Sequence, residues 1–252
     1  MKNKLLKIIV IGASGRTGQF IVNKIIKNNN YQLINPSNKK IENNSMSYKL
    51  IEECDVIIDF SAPKSTLRIL TFAKKLNKKI VIGTTGFTDK QNKLIKNYSK
   101  RIAIFKSGNM SLGVNILEYI TKIIANKIPN NYMIGISDIH HKNKIDYPSG
   151  TALMFANAIA KGKGKNLKSL TGKSFINNRG KLNNKKINFF ITRKGSTVGK
   201  HAVEFNNNLE KIEMKHEAFS RELFADGALN AAAWISKKNK GLYDMQDMLN
   251  LK

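Results

Sequence analysis

The stretch IHHKNKIDYPSGTAL, which runs from Ile139 to Leu153, combines side chains that exchange protons with side chains that bind anions. His140 and Lys144 are four positions apart, a spacing that places two side chains on the same side of an extended segment or of a helix. A histidine titrates near neutral pH and can give or accept a proton. A neighbouring lysine can bind a carboxylate or supply a proton. His141 points elsewhere if the segment is extended.

The PSGT sequence that follows favours a turn leading into a helix. Ser149, Gly150 and Thr151 would present hydroxyl and backbone N–H groups at the N-terminus of that helix, a natural site for a carboxylate. This carboxylate site, together with the histidine and the lysine, predicts a small anionic substrate that is protonated during the reaction. Two ordinary interpretations stay open: a His-His pair is often solvated or structural, and Ser-Gly-Thr before a helix is often only an N-cap.

Other catalytic chemistries have weaker support in the sequence. The zinc-binding spacing H-E-x-x-H does not occur, and a His-His pair is a poor chelate, so we expect no metal ion. The G-x-S-x-G motif of a nucleophilic serine does not occur either, although residue counts alone leave a Ser-His-Asp triad open. Cys54 is the only cysteine, which excludes an intrachain disulfide and a cysteine-based zinc site.

The motif GASGRTG joins a predicted strand to a predicted helix near the start of the sequence. Its glycines, Gly12, Gly15 and Gly18, follow the pattern G-x-x-G-x-x-G rather than the commoner G-x-G-x-x-G. Such glycines let the backbone turn tightly and approach a pyrophosphate, whose charge meets the free N–H groups of the helix N-terminus. Arg16 adds a cation at the same end. The motif therefore predicts a dinucleotide site; a turn that is merely tight is the alternative.

The ends of later predicted strands add small polar residues to this site. In an open α/β sheet a ligand lies beyond the carboxyl ends of the strands. Residues 83–85 and 107–109 would let a nicotinamide ring lie flat against backbone groups, although Thr and Ser there are often only turn formers. After the second predicted strand no acid occurs before Glu42, so Lys39 and Lys40 could face the 2′-phosphate of NADP. This charge favours NADPH and leaves NADH open.

These turns need a scaffold of alternating strands and helices, and the N-terminal part of the sequence predicts one. Short apolar, β-branched runs are typical of strands buried on both faces, and the segments between them have helical spacing. The predicted strands are residues 7–12, 31–34, 55–60, 79–83 and 101–105. The alternation predicts a doubly wound, mostly parallel sheet of the Rossmann-like type.

The pattern changes after residue 111. A helix is predicted at 113–128 and 151–160, a strand at 132–137, and a charged, glycine-containing loop at 161–173. Three strand-like runs then follow in succession, at 187–193, 200–205 and 209–218, before helical spacing returns at 221–235. Successive strands predict a second, α+β domain with an open mixed sheet. We expect the end of the chain to pack back on the first domain.

The charge is strongly unbalanced, with 44 Lys and Arg against 17 Asp and Glu, a formal net charge of +27. This could indicate a nucleic-acid or membrane partner. However, the lysines are scattered through all the predicted elements, without the interleaved aromatic residues of a single-strand binder. We therefore expect no specific nucleic acid and no membrane partner. The N-terminal apolar run is short and contains Lys7, which argues against a signal peptide and favours the cytoplasm.

The motifs taken together resemble those of the dihydrodipicolinate reductase (4-hydroxy-tetrahydrodipicolinate reductase) family. The segments that carry the resemblance are GASGRTG, DFSAP, IGTTGF, GNMSLGVN and HHKNKIDYPSGTAL. The similarity continues through RKGSTVGKHAVEF, with its Arg-x-Gly and Gly-x-His pattern, and through GLYDMQDML near the end. It covers essentially the whole chain in order, and the string H-H-x-x-K-x-D-x-P-S-G-T-A is highly specific.

The resemblance implies a cytoplasmic homotetramer that uses NADPH or NADH to reduce a small dicarboxylate, 4-hydroxy-tetrahydrodipicolinate, to tetrahydrodipicolinate in diaminopimelate and lysine biosynthesis. It places the catalytic pair on His140 and Lys144 and substrate binding on His141, Gly150 and Thr151. Together with Lys39 from the charge argument, the predicted cofactor-binding residues are Gly12, Ala13, Ser14, Gly15, Arg16, Thr17, Gly83, Thr84, Thr85, Ser107, Gly108, Asn109 and Met110.

The resemblance also implies two domains. Residues 1–111, completed by 222–252, are predicted to bind the dinucleotide, and residues 112–221 are predicted to bind substrate and to oligomerise. Many family members carry Glu-Arg where this chain has Asn38-Lys39, and an arginine in the motif that here contains Ala62. The alternatives are another two-domain NAD(P)-dependent dehydrogenase, which should lack the His-His-Lys and PSGT segment, and a non-catalytic NADPH-binding protein.

Overall fold

The computed structural model describes residues 4–34, 44–176, 183 and 185–252. Its strands are β1 (Leu6–Ile11), β2 (Tyr31–Leu33), β3 (Val56–Asp59), β4 (Lys79–Ile82), β5 (Ala103–Lys106), β6 (Met133–His140), β7 (Thr171–Ile176), β8 (Ile187–Arg193), β9 (Gly199–Asn206), β10 (Lys211–Ala218) and β11 (Gly241–Tyr243). Its helices are α1 (Arg16–Ile26), α2 (Asn44–Glu53), α3 (Pro63–Lys75), α4 (Asp89–Tyr98), α5 (Leu112–Lys127), α6 (Gly150–Gly162), α7 (Leu167–Leu170), α8 (Glu222–Ile235) and α9 (Met245–Met248). The chain divides into two compact units, Met1–Leu112 with Arg221–Lys252, and Gly113–Ser220.

The first unit is built on a six-stranded sheet in the order β11-β5-β4-β3-β1-β2. All neighbouring strands are parallel. Side chains alternate between the two faces of a strand, and both faces of this sheet are apolar. In β1, Ile8 and Val10 belong to the core cluster that includes α1 and α8, whereas Ile9 and Ile11 belong to the cluster that includes α3. This is the doubly wound, Rossmann-like fold that the sequence predicts.

The C-terminal segment supplies one strand and two helices to the first unit. Strand β11 pairs in parallel with β5 at the edge of the sheet, and no strand was predicted there. Its three residues, Gly-Leu-Tyr, are too short for a period-2 pattern to be visible in the sequence. Helix α8 contributes small side chains, among them Ala225, Ala228 and Ala232, to the core cluster. Small residues let the helix lie close to its neighbours.

The second unit contains a five-stranded sheet in the order β10-β9-β6-β8-β7. Strand β6 lies at the centre, parallel to β8 and antiparallel to β9. One face is covered by α6, whose Phe155 and Ile159 are fully buried with Phe189 and Phe205 of the sheet. The mixed sheet of an α+β domain is therefore confirmed.

The prediction of a loop at residues 161–173 is wrong. Helix α6 extends to Gly162, α7 occupies Leu167–Leu170, and β7 begins at Thr171. Strand β7 is an edge strand, so only one side of its backbone pairs with the sheet. Edge strands tolerate charged and small residues. The glycine and the lysine of TGKSFI interrupt the apolar pattern by which a strand is recognised in a sequence.

Helix α8 lies so close to the strand-to-helix turn after β5 that one of its positions has no room for a side chain. A β-carbon at Gly227 would lie 1.7 Å from the carbonyl oxygen of Met110. Alanine improves helix propensity by about 1 kcal/mol, whereas overpacking costs about 1–3 kcal/mol, and backbone cannot rotate away as a side chain can. We therefore expect Gly227→Ala to lower the free energy of unfolding by roughly 2 kcal/mol, measured by urea denaturation.

The matched control is Asn230→Ala, at an exposed position of the same helix. There the alanine meets only solvent, and stability should stay the same or rise by about 0.5 kcal/mol. A Gly227→Ala protein as stable as the wild type would show that α8 moves freely away from residue 110.

Candidate active site

The glycine motif of the first unit forms the predicted turn between β1 and α1. Gly12 has a positive φ of 80°, and a β-carbon there would lie 2.4 Å from the Phe60 carbonyl oxygen. Gly18 is in the first turns of α1, where a β-carbon would lie 2.1 Å from the Gly12 carbonyl oxygen. Only glycine fits both positions, because the turn, the helix and the end of β3 lie in backbone contact. This close packing keeps side chains out of the turn at these two positions.

The N-terminus of α1 is suited to an anion. Gly15 occupies the N-cap position and makes no side-chain cap, and the first turn contains no acidic residue. Arg16 is exposed at this end. Burial and repulsion by Arg16 lower the pKa of Arg221, so two guanidinium groups lie close to each other here. The sequence identified Arg16 but missed Arg221, which lies far away in the chain.

A cavity of about 220 Å³ lies in the first unit, lined by Thr17, Phe60, Gly83, Ser107, Gly108, Asn109, Met110 and Phe224. Six of these eight residues belong to the predicted cofactor set. A β-carbon at Gly83 would lie 2.4 Å from the Phe60 ring, so glycine is needed for the ring to pack there. Sequence reasoning missed Phe60 and Phe224 because an aromatic residue in an apolar run indicates the core, not a ligand.

Several of the predicted polar side chains hold the turns together. Thr84 Oγ1 accepts a hydrogen bond of 3.0 Å from the Ser61 amide, which links the ends of β3 and β4. Ser107 Oγ donates to the Asn109 carbonyl at 2.6 Å, and Asn109 Oδ1 accepts from the Ser111 amide at 2.8 Å. Their side chains thus act as turn formers, the alternative left open from the sequence. Ala13 is buried, whereas Ser14 and Thr85 are exposed; the predicted Lys39, with Asn38 and Lys40, lies outside the described residues.

In the second unit, the histidine–lysine segment lies where β6 ends and α6 begins. His140 is the last residue of β6, and Ser149 is the N-cap of α6, with its Oγ accepting a hydrogen bond of 3.2 Å from the Ala152 amide. Gly150 and Thr151 form the first turn of the helix. Lys144 lies in the connecting loop, where its Nζ is 2.7 Å from both carboxylate oxygens of Asp146. The half-buried His141 anchors the loop through its amide, which donates to the Thr197 carbonyl at 2.9 Å.

Asp138 is the centre of this region, and sequence reasoning did not single it out. Its side chain is completely buried. Its Oδ1 lies 2.8 Å from Nδ1 of His140 and 3.3 Å from Nε2 of His201. Its Oδ2 accepts hydrogen bonds from the Ser149 amide at 2.8 Å and from Nη2 of Arg193 at 3.2 Å. Four elements, β6, β8, β9 and α6, therefore meet at one carboxylate.

The electrostatics of the cluster follow from these contacts. Burial by itself would raise the pKa of Asp138, but the contacts with His140, with His201 and with the Ser149 amide together hold that pKa well below its ordinary value. For His201, burial lowers the pKa; Asp138 opposes this, while the nearby His140 and Lys144 add to it. Asp138 is thus a permanent anion near neutral pH. The ammonium group of Lys144 is close enough to contribute to the lowered pKa of His201.

Three of these side chains, Asp138, His140 and His201, bring metal-ligand types of atom within 4.8 Å of one another. The guanidinium of Arg193 lies 3.2 Å from the same carboxylate and neutralises it. A divalent cation here would be repelled by that fixed positive charge. We therefore interpret the cluster as an ion and hydrogen-bond network.

The fold and the two sites define a class of protein: two-domain reductases and dehydrogenases that bind a dinucleotide on a doubly wound sheet. The family model described as "Dihydrodipicolinate reductase, N-terminus" matches residues 6–110, and "Dihydrodipicolinate reductase, C-terminus" matches residues 113–249. This chain belongs to the dihydrodipicolinate reductase family, whose enzymes are oxidoreductases that use NADPH or NADH. The family resemblance drawn from the motifs is confirmed.

Individual relatives match the chain over almost its full length. The 4-hydroxy-tetrahydrodipicolinate reductase of Pelagibacter ubique is 46% identical over 257 residues, covering 99% of this chain and 100% of the relative. That of Buchnera aphidicola subsp. Cinara cedri is 44% identical over 270 residues, covering 99% and 98%. The solved structure of a dipicolinate-bound dihydrodipicolinate reductase from Paenisporosarcina sp. TG-14 has a TM-score of 0.77 at 19% identity, covering 97% of this chain and 99% of that one.

Other dehydrogenases share the architecture more loosely. Aspartate dehydrogenase from Thermotoga maritima has a TM-score of 0.52 at 11% identity and covers 93% of this chain. This likeness concerns the fold alone. The distinction between the family and this rival class therefore comes from the sequence matches.

Within the described parts of the chain, every helix is too short or too polar to cross a bilayer.

The lowered pKa of Asp138 predicts a specific pH dependence of stability. An unfolded aspartate titrates near about 3.9, so the carboxylate stabilises the fold fully above that pH and progressively less as the pH falls toward the lower folded pKa. Replacing one member of a buried ion pair costs roughly 3 kcal/mol. We expect Asp138→Asn to be destabilised by about that amount at neutral pH, with the difference from wild type shrinking below about pH 4.

The measurement is urea unfolding of both proteins between neutral and acidic pH. Glu217→Gln is the control, because Glu217 pairs with Lys200 at 3.0 Å in a half-exposed position, where such pairs contribute at most about 1 kcal/mol. A stability difference between Asp138→Asn and wild type that stays constant with pH would contradict the assignment of Asp138 as an anion.

Proposed function

We propose that the protein catalyses the NAD(P)H-dependent reduction of 4-hydroxy-tetrahydrodipicolinate to tetrahydrodipicolinate in diaminopimelate and lysine biosynthesis. The observation that carries this proposal is the full-length match to relatives of that name, at up to 46% identity. The reaction adds a hydride to an unsaturated carbon of the dehydrated substrate and a proton to complete the reduction. The remaining question is which residues of this chain perform each part.

The first unit supplies the cofactor site. The backbone of Gly12, Ala13, Ser14 and Gly15 and the helix N-terminus behind it suit a pyrophosphate, because their N–H groups and the helix dipole favour negative charge. The other proposed cofactor-binding residues are Arg16, Thr17, Lys39, Gly83, Thr84, Thr85, Ser107, Gly108, Asn109 and Met110. When bound, the reduced nicotinamide supplies the hydride. The cavity beside Gly83 and Met110 has small residues and aromatic walls, which fit a flat ring.

His140 is the proposed proton donor, together with Lys144. Its Nδ1 faces Asp138 at 2.8 Å, so the other ring nitrogen, Nε2, is the atom left for exchange with the substrate. The neighbouring strand position is Gly199, where a β-carbon would lie only 3.1 Å from that Nε2. The glycine therefore keeps the space beside Nε2 free of a side chain.

The substrate carboxylates are proposed to lie at the start of α6. The first turn of this helix, with Gly150 and Thr151, offers N–H groups and the positive end of the helix dipole. His141 and the ammonium group of Lys144 add donors from the loop. Asp146 is the ion-pair partner of Lys144; burial would raise the pKa of Asp146, but this ion pair lowers it. A substrate carboxylate would compete with Asp146 for the same ammonium group.

The assembly and location of the protein are also proposals. Residues 1–111 with 222–252 would form the dinucleotide-binding domain and residues 112–221 the substrate-binding and oligomerisation domain of a cytoplasmic homotetramer. The family membership and the five-stranded sheet of the second unit support this arrangement. Light scattering on the purified protein would measure the number of subunits.

We expect His140→Gln and Lys144→Ala to lower turnover by about 10²–10⁴-fold, because each removes a group that handles the proton or the substrate charge. The assay is NADPH oxidation by the purified protein, with the substrate generated in situ by the preceding synthase from pyruvate and aspartate semialdehyde. NADPH binding should persist in both variants. Either variant at full turnover would make its catalytic assignment wrong.

Lys142→Ala is the matched control, since Lys142 is an exposed lysine of the same loop and its recorded contact is through the backbone amide. Its turnover should match that of the wild type. A wild-type protein that binds NADPH without oxidising it under these conditions would exclude the proposed function and favour a non-catalytic NADPH-binding protein.

The cation at the start of α1 gives a separate prediction. Arg16→Ala should raise the dissociation constant for NADPH about tenfold, because a charge-assisted contact with a phosphate is removed at an exposed position, while turnover at saturating NADPH stays unchanged. Fluorescence titration measures the affinity. Arg101→Ala is the control, since Arg101 is also exposed but precedes β5, at the opposite end of the strands. Equal affinities in the two variants would contradict a role for Arg16.

A further inference from the structure

We propose that Asp138 is a positioning residue for the reaction, and that its buried carboxylate holds both the proton donor and the carboxylate-binding turn in place. This inference rests on the proposed function of His140 as proton donor. It adds a residue that neither the motif analysis nor the comparisons assign.

Nitrogen atoms from four residues surround the Asp138 carboxylate. Asp138 lies within 3.3 Å of four nitrogen atoms, which belong to His140, His201, Ser149 and Arg193. A carboxylate has two oxygens with about four acceptor sites and no N–H group. An asparagine of the same shape has one acceptor oxygen and an NH₂ group, which would face donors. The carboxylate accepts hydrogen bonds from the Ser149 amide and from Arg193, and it presents negative charge to the two histidine rings at 2.8 and 3.3 Å. An asparagine would lose that charge and would turn an N–H group toward part of this set.

The Asp138 carboxylate also orients the imidazole ring of His140. Nδ1 of His140 lies 2.8 Å from Asp138 Oδ1 in an ion contact that lacks the geometry of a hydrogen bond. The negative charge beside Nδ1 favours the tautomer that carries the proton on this nitrogen. Nε2 then faces away from the carboxylate, toward the space beside Gly199. The ring is also held by His201, whose ring centroid lies 5.0 Å from that of His140. Asp138 therefore determines which nitrogen of His140 meets the substrate and in which direction it points.

The network of Asp138 also reaches the start of α6 and the loop that contains Lys144, where the substrate is proposed to bind. Asp138 Oδ2 accepts the Ser149 amide at 2.8 Å, so the carboxylate fixes the N-cap of α6, immediately before Gly150. Arg193 bridges to the lysine loop, since its Nη2 donates both to Asp138 Oδ2 at 3.2 Å and to the Asp146 carbonyl at 2.8 Å. One anion thus aligns the histidine, the helix start and the loop.

The charged and titratable groups around His140 come from several elements. Asp138 lies on the same strand, Arg193 on β8 and His201 on β9, and Lys144 and Asp146 lie in the loop. Among these groups, Asp138 is the anion nearest to the ring. When His140 carries a proton to the substrate, this anion faces the positive charge at contact distance. Its loss should weaken proton donation more strongly than cofactor binding.

The test compares Asp138→Asn, Asp138→Glu and the control Glu217→Gln. We expect Asp138→Asn to lower kcat by about 10–100-fold, the usual effect of removing a partner that orients a functional histidine, with a higher KM for the substrate and an unchanged NADPH affinity. The alkaline limb of its pH–rate profile should move to lower pH, because the protonated ring has lost its anion. Asp138→Glu, which restores the carboxylate, should recover part of kcat, and Glu217→Gln should match the wild type.

A spectroscopic measurement on the wild-type protein is independent of any effect of the variants on folding. The chain contains only four histidines, so ¹⁵N-histidine NMR can be assigned by the signals that vanish in His140→Gln. We expect neutral His140 to be protonated on Nδ1 in the wild type and in Asp138→Glu. A folded Asp138→Asn variant should lose this single tautomer.

Two results would overturn the inference: neutral His140 protonated on Nε2 in the wild type, or a folded Asp138→Asn protein with wild-type kcat. If Asp138→Asn does not fold, the wild-type spectrum and the kcat of Asp138→Glu decide the question, since a purely structural role predicts no link between tautomer and kcat. An absence of turnover in the wild type would instead refute the proposed function, while the spectrum would still report where the proton lies.

Discussion

The burial of one carboxylate, that of Asp138, constrains the end of the second unit where β6 meets α6. A charge removed from water costs several kcal/mol, and the fold recovers this only if donors surround the charge with good geometry. Here the donors come from three strands and a helix N-cap. The sheet registers that bring them together are Asp138 opposite His201 on β9 and His140 opposite Arg193 on β8. A shift of one residue in either pairing would turn the partner side chain to the other face.

The first unit contains a candidate binding site for an anion and, among the described residues, no buried anion of its own at that site. It places a glycine turn, a helix N-terminus and two exposed or half-exposed arginines around a potential anion site. A β-carbon at Gly18 would lie 2.1 Å from the Gly12 carbonyl oxygen, so glycine is required there. Such a site accepts an anion without burying a counter-ion of its own. The second unit instead maintains a permanent internal anion, Asp138, which lies against the guanidinium of Arg193 and two histidine rings.

The sequence predicted most of the fold because its elements have strong local signals. Each buried parallel strand is a short β-branched run, and the glycine turn follows β1 where expected. The strand β11 and the edge strand β7 escaped detection, since a three-residue strand has no period and an edge strand tolerates polar residues. For the candidate sites, a motif could identify His140, Lys144 and Gly150 because they lie close together in the chain. Phe224 and Arg221 reach the first unit's site from the far end of the chain, which no local pattern reveals.

The order of residues was sufficient for the class of fold, the family and the segments where chemistry is expected, because these depend on periodicity and on short motifs. The partners of those segments depend on strand pairing over long separations. Asp138, Arg193 and His201 are spread over more than sixty positions of the sequence, and their spacing along the chain does not show that they meet. Their convergence on one buried carboxylate arises from the order β9-β6-β8 and its registers. The contact between Asp138 and His140 lies within strand β6, whereas the addition of Arg193 and His201 to the same carboxylate depends on tertiary pairing.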